Sequence, residues 1–153
     1  ITDGILNGQK GIATIKGTLA EGVIAVAMQY GRTATMGLKY MFGIPAKQAL
    51  GSTLRSSYNT FLQQGCKLLH VNPTEASTNA TISMVRYNGA QVLSDELLTV
   101  PAHGLIDYNL CANEAGNNYG VATVNLAKPN TLVSSVVRLG INDDYRFPTP
   151  VRQ

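Results

Sequence analysis

Apolar and polar side chains alternate with period two along most of the chain. Ala80-Thr81-Ile82-Ser83-Met84-Val85-Arg86-Tyr87 alternates and then meets Asn88-Gly89, the strongest short-range hairpin signal. Gln91–Val100 reads as the returning strand, and Pro101-Ala102-His103-Gly104 as the turn that ends it. Alternation resumes over 105–110, gives way to a polar loop at 113–118, and returns in Tyr119–Leu126. Lys128-Pro129-Asn130 is a turn, 131–139 a buried-looking strand, and Asn142-Asp143-Asp144 a turn before a last strand at 145–151. Short strands with turn signals every ten or so residues predict an all-β sandwich or barrel. One segment breaks the pattern. Ala46, Leu50, Leu54, Tyr58 and Phe61/Leu62 recur at helical spacing. Gly51 weakens a continuous helix there, so residues 46–56 read as either one short helix or an irregular link. A strand over 58–71 follows, ending at Asn72-Pro73.

The same alternation repeats itself. Gly11-Ile12-Ala13-Thr14-Ile15 matches Gly120-Val121-Ala122-Thr123-Val124 at an offset of 109. That offset also brings Val23-Ile24 onto Leu132-Val133, and Ala27-Met28-Gln29-Tyr30-Gly31 onto Val136-Val137-Arg138-Leu139-Gly140. After a shift of four, Tyr40-Met41-Phe42-Gly43-Ile44-Pro45 meets Tyr145-Arg146-Phe147-Pro148-Thr149-Pro150, and the match runs on to Gln48 against Gln153. Eight of thirty aligned positions are identical. A period of roughly 107 residues is the length of one two-sheet sandwich. Residues 50–153 therefore read as one complete repeat, and residues 1–49 as a partial one matching only its second half. The alternative organisation merges the two into one structural unit. A half-sandwich leaves an apolar face and strand edges uncovered, so a completing partner is expected.

The stretch Tyr58-Asn59-Thr60-Phe61-Leu62, Val71-Asn72-Pro73-Thr74, Ala80-Thr81-Ile82 and Tyr87-Asn88-Gly89 is followed by Leu98-Thr99-Val100-Pro101-Ala102-His103-Gly104. Together these resemble the immunoglobulin-like β-sandwich repeats of bacterial extracellular and cell-surface proteins. The resemblance covers about two thirds of the chain and rests on turn chemistry. It implies a mainly β, immunoglobulin-like antiparallel sandwich and a secreted or cell-surface location. It also implies a scaffold, adhesin or fibre role without catalysis. The chain departs from the pattern in having no Trp and in starting mid-repeat.

Composition sharpens this picture. Charged residues make up 14% of the 153 residues, against roughly 25% in ordinary soluble domains. A protein that buries large contact areas fits that scarcity. Net charge is +3, but the twelve basic side chains stand singly, so no phosphate-tracking cluster is present and no nucleic-acid partner is expected. The charge is uneven. Residues 1–60 hold six basic and two acidic side chains (+4), and residues 61–153 six and seven (−1). A basic half meeting a neighbour's mildly acidic half would set register in an assembly. The longest apolar run is far short of a membrane span. The chain opens on Ile1 with no signal-peptide pattern, which reads as a processed terminus or the start of a fragment.

Candidate chemistry is sparse. Cys66 and Cys111 lie in no zinc-finger spacing. A disulfide between them would stabilise by roughly 3–4 kcal/mol, the alternative being two buried thiols. His70 and His103 are the two histidines. A hydrolase would need His103 beside Asp107 and a nucleophile such as Ser94 or Ser135, without the usual elbow motif. Asn142-Asp143-Asp144 offers oxygen ligands but reads first as an Asx turn. Asn79-Ala80-Thr81 is a glycosylation sequon. Seven tyrosines and many Asn are raw material for a glycan-binding face. No catalytic residue, cofactor or metal site is expected. The expected role is self-association into a homo-oligomer or polymer, as an extracellular surface assembly or fibre held by strand and face complementation. The alternatives are a carbohydrate-binding or adhesin module and, behind it, a virion structural protein.

Overall fold

The computed structural model describes residues 26–35, 37–45, 47, 49–140 and 146–149, together with Ala13 and Ile15. It is mainly β. Among the described residues ten strands run in chain order: β1 (Val26–Arg32), β2 (Leu38–Pro45), β3 (Thr53–Asn59), β4 (Gly65–Val71), β5 (Thr78–Arg86), β6 (Gln91–Val100), β7 (Leu105–Tyr108), β8 (Tyr119–Leu126), β9 (Val133–Leu139) and β10 (Arg146–Thr149). They form two four-stranded antiparallel sheets, ordered β3-β8-β5-β6 and β10-β9-β4-β7, and a separate β1-β2 hairpin.

The period-two pattern explains why the sheets stack. Leu54, Val124 and Ile82 stand in one cross-strand row, and each is buried. On the facing sheet Cys66, Leu68 and His70 of β4 alternate inward beside Ser134 and Val136 of β9, again all buried. Both inner faces thus come from alternate residues, and together they make one core. Strand order differs from the seven-strand immunoglobulin layout in its outer members. The pairings β4–β7 and β5–β8 match that layout's inner pairs, but β3 lies on β8 and β9 on β4. Relative to that layout, β3 and β9 have exchanged sheets, and β10 extends the sheet beyond β9.

Most predicted strands appear within a residue or two of their expected bounds. Two expectations fail. No helix forms at 49–56: residues 49–52 are an irregular link, and Leu54, Ser56 and Tyr58 alternate inward as β3; Ala46 and Gln48 lie outside the described residues. Within β3 the helical spacing is the Leu54–Tyr58 step, two inward strand residues that also stand four apart. Nor is 58–71 one strand. The chain turns at Phe61–Gln63, where Leu62 and Gln63 take left-handed φ of 56° and 57°, and β4 crosses to the other sheet.

Turn chemistry holds, with one refinement. The Asn88-Gly89 hairpin closes with Gly89 N–H donating to Arg86 O at 2.9 Å, and Gly89 alone takes a positive φ, 85°. That is a type I turn with a glycine bulge, not the two-residue turn. Asn72 is fully buried and ties three chain segments together. Its amide donates to the carbonyls of Ala76, Val100 and Pro101, and its oxygen accepts from Thr74 N–H and Oγ1. The Pro101–Gly104 turn places His103 at a φ of 50°.

Candidate functional site

Two surface features carry interaction chemistry, and each grows from a local packing rule. The first is the β1-β2 hairpin. Its register pairs Ala27 with Ile44, Met28 with Gly43, Gln29 with Phe42 and Tyr30 with Met41. The β9-β10 hairpin pairs Val136 with Thr149, Val137 with Pro148, Arg138 with Phe147 and Leu139 with Arg146. Under the offsets 109 and 105 read from the sequence, these are the same four pairs. The loops differ by the four residues that the alignment skips. The environments differ more. β9 has β10 on one side and β4 on the other, whereas β1 has only β2 among the described residues.

That difference shows in exposure. β2 lies next to β10 without a hydrogen-bonded ladder between them. Val26, Met28 and Tyr30 share one face of β1 and are 54%, 58% and 57% exposed. Gly43 opposite them has no side chain, and a Cβ there would meet Val26 Cγ1 at 2.9 Å and Met28 Sδ at 3.2 Å. Both side chains therefore lie across the glycine. Met41 adds to the exposed apolar face, and the Arg32 guanidinium sits 5.5 Å over the Tyr30 ring.

The second feature is an aromatic cluster at one end of the β3-β8-β5-β6 sheet. Tyr87 and Tyr119 stack with centroids 4.6 Å apart, and Phe61 lies 5.9 Å from Tyr119. All three are exposed. The cluster stands on a buried polar hub. Glu114, whose side chain is 0% exposed, accepts two bonds from Arg86 Nε and one from Nη2, at 2.8–3.2 Å. It also accepts from Tyr58 OH at 2.8 Å and Asn118 Nδ2 at 3.2 Å. Burial alone would raise the Glu114 carboxyl; the bonds from Arg86 and Tyr58 outweigh it and hold the group below the usual range. Two of the hub residues adjoin a cluster aromatic in sequence: Arg86 by Tyr87 and Asn118 by Tyr119. Gly120 permits the close strand approach beneath, since a Cβ there would strike the Val85 carbonyl oxygen. Periodicity carried no signal for this hub, because Glu114 lies in what reads as a polar loop.

The other sequence candidates fall as follows. Cys66 and Cys111 are bonded, with Cα atoms 5.1 Å apart, tying β4 to the loop after β7. Asn79 is exposed on β5, and its side-chain oxygen accepts from Thr99 Oγ1 at 2.9 Å. His103 Nε2 donates to Glu75 at 2.8 Å, so the structure joins it to Glu75 instead of assembling Asp107, Ser94 or Ser135 around it. A Ser–His contact does exist, but between His70 Nδ1 and the Ser134 hydroxyl, 2.7 Å apart in the core. Asn142, Asp143 and Asp144, and most of the Gly11–Ile15 and Val23-Ile24 matches, lie outside the described residues. No described helix is long and apolar enough to cross a membrane. Compared with known proteins, the chain matches no family model, no curated protein and no solved structure.

Proposed function

We propose that this chain is a non-catalytic structural protein of the cell exterior, a subunit or repeat of a surface assembly or fibre. One observation carries the reading. The β1-β2 hairpin reproduces the register of β9-β10, yet among the described residues it forms a two-stranded sheet of its own with an exposed apolar face. An exposed strand of that kind is a template for strand addition. The Cys66–Cys111 bond fits an oxidising compartment. The scarcity of charge, 14% of residues, fits large buried contacts. Light scattering and electron microscopy of the purified full chain test it. Particles well above 16.3 kDa that dissociate only in denaturant are expected. A monomer that persists at high concentration would refute it.

A glycan-binding module is the second reading, favoured by the Phe61–Tyr119–Tyr87 cluster. Aromatic faces bind the apolar faces of pyranose rings, and the same sheet face continues into Asn59, Ser57 and Thr123 for hydroxyl groups. Under this reading a monomer binds oligosaccharides, and Tyr119→Ala abolishes binding in calorimetry without unfolding the protein.

A further inference from the structure

We infer that the outer face of strands β3, β8 and β5 binds an acidic polysaccharide, stacking a sugar ring on the Tyr87–Tyr119–Phe61 cluster and holding a carboxylate with Arg55. The inference rests on the glycan-binding reading above and names the class of glycan.

The period-two rule builds this face row by row. Arg55, Ser57 and Asn59 of β3 alternate outward with the buried Leu54, Ser56 and Tyr58. Asn59 stands opposite Tyr119, Ser57 opposite Val121 and Arg55 opposite Thr123 on β8. On β5, Val85 continues the Val121 row and Ser83 the Thr123 row. Tyr87 follows β5, and its N–H donates to Tyr119 O at 3.0 Å. The rings are open to a ligand, since Tyr87 is 63% exposed and Tyr119 46%. From Tyr119 to Thr123 is four residues of extended chain, roughly 13 Å. One face thus carries an aromatic stack, a floor of valines and hydroxyls, and a guanidinium, spread over the length of a short oligosaccharide.

Charge identifies the ligand. Arg55 is exposed and, among the described residues, enters no ion pair. It is the one charged side chain on the outer face of β3, β8 and β5. Arg86 adds none, because Glu114 matches its charge beneath the sheet. The strands' acidic side chains in this sheet, Asp95 and Glu96, are both on β6, the far edge from Arg55. Glu96 accepts from Tyr108 OH at 2.7 Å. A planar guanidinium so placed holds a carboxylate through paired N–H bonds. The sugar that joins a ring face to a carboxylate is a uronic acid. A second copy of this chain suits the face less well, since two such faces would bring arginines together with no carboxylate between them.

Hexasaccharides of pectate, alginate and hyaluronan, each beside its carboxyl methyl ester, are titrated into the full chain by calorimetry at low salt. At least one acid should bind roughly 10-fold more tightly than its ester, and added salt should narrow the gap. In Arg55→Gln that acid should fall to the affinity of its ester. Lys67→Gln removes the same charge from the other sheet and should keep the preference. Tyr119→Ala should lose acid and ester together. Equal binding of every acid and its ester, lost in Tyr119→Ala, would overturn this inference and leave the glycan reading standing. A preference that survives Arg55→Gln, or that Lys67→Gln removes equally, would do the same. Binding of no sugar overturns both. Self-association abolished by Tyr119→Ala, with no sugar bound, would assign the face to a second copy instead.

Discussion

Acidification from neutral pH to about pH 4 should remove roughly 3 kcal/mol of stability through His70 alone. The imidazole is fully buried on the inner face of β4, with Nδ1 against the Ser134 hydroxyl at 2.7 Å and Nε2 without a partner among the described residues. Burial pushes its pKa down from 6.5 to about 4, because a charged ring there would lose its hydration. The unfolded chain takes up the proton near 6.5, the folded chain only near 4. Between those values the unfolded state holds more protons, so stability falls as pH falls. The gap from 6.5 to about 4, at about 1.36 kcal/mol per pH unit, gives roughly 3 kcal/mol. That is a large share of the roughly 5–15 kcal/mol that holds a typical domain together. Urea unfolding at a series of pH values measures it, with the His70 ring protons followed by NMR. Stability should be flat above pH ~7 and then fall by about 1.4 kcal/mol per pH unit across the window. In His70→Gln that slope should vanish, leaving the steeper losses at lower pH where carboxylates titrate. Constant stability down to about pH 5, or an unchanged slope in His70→Gln, would refute the account.

Glu114→Gln should cost about 2–3 kcal/mol near neutral pH, because the Arg86 guanidinium and Tyr58 hydroxyl lose a buried anionic acceptor; thermal melting would drop by about 4–12 °C. Since the Glu114 carboxyl is held below its ordinary value, its stabilisation is present above that ordinary value. It is lost as pH falls through the folded one, and denaturation of Glu114→Gln below about pH 4.5 should lack that step. Replacing both Cys66 and Cys111 by Ala opens a link spanning 45 residues of sequence and should cost about 4 kcal/mol on the chain-entropy model, read as a fall in the urea midpoint. Gly120→Ala should cost about 1–3 kcal/mol, because the new methyl meets the Val85 carbonyl where β8 crosses β5. A neutral Gly120→Ala would show that the two strands part without penalty.

The period-two alternation by itself determined the class of fold and most strand bounds, because one buried face writes an inside–outside code into any strand. β4, β5 and β8 follow that code closely, and the Asn72-Pro73 turn after β4 and the Asn88-Gly89 turn after β5 mark strand ends through local backbone chemistry. The offsets that align 27–30 with 136–139 and 41–44 with 146–149 also carry the β1-β2 pairs onto the β9-β10 pairs once the structure supplies them. Register is a sum of sequence positions, and the two offsets preserve it. Only the tertiary structure decided which strands pair. A strand reads the same whether it lies on β8 or on β4, so the exchange of β3 and β9 between sheets left no local mark. The helix that was one of two readings near 46–56 failed for the same reason: a short apolar spacing fits either period until a neighbouring strand selects one. The core contact of His70 with Ser134 and the Glu114 hub were equally invisible. Both join residues more than twenty positions apart, and closing such distances is the work of packing, not of the local pattern.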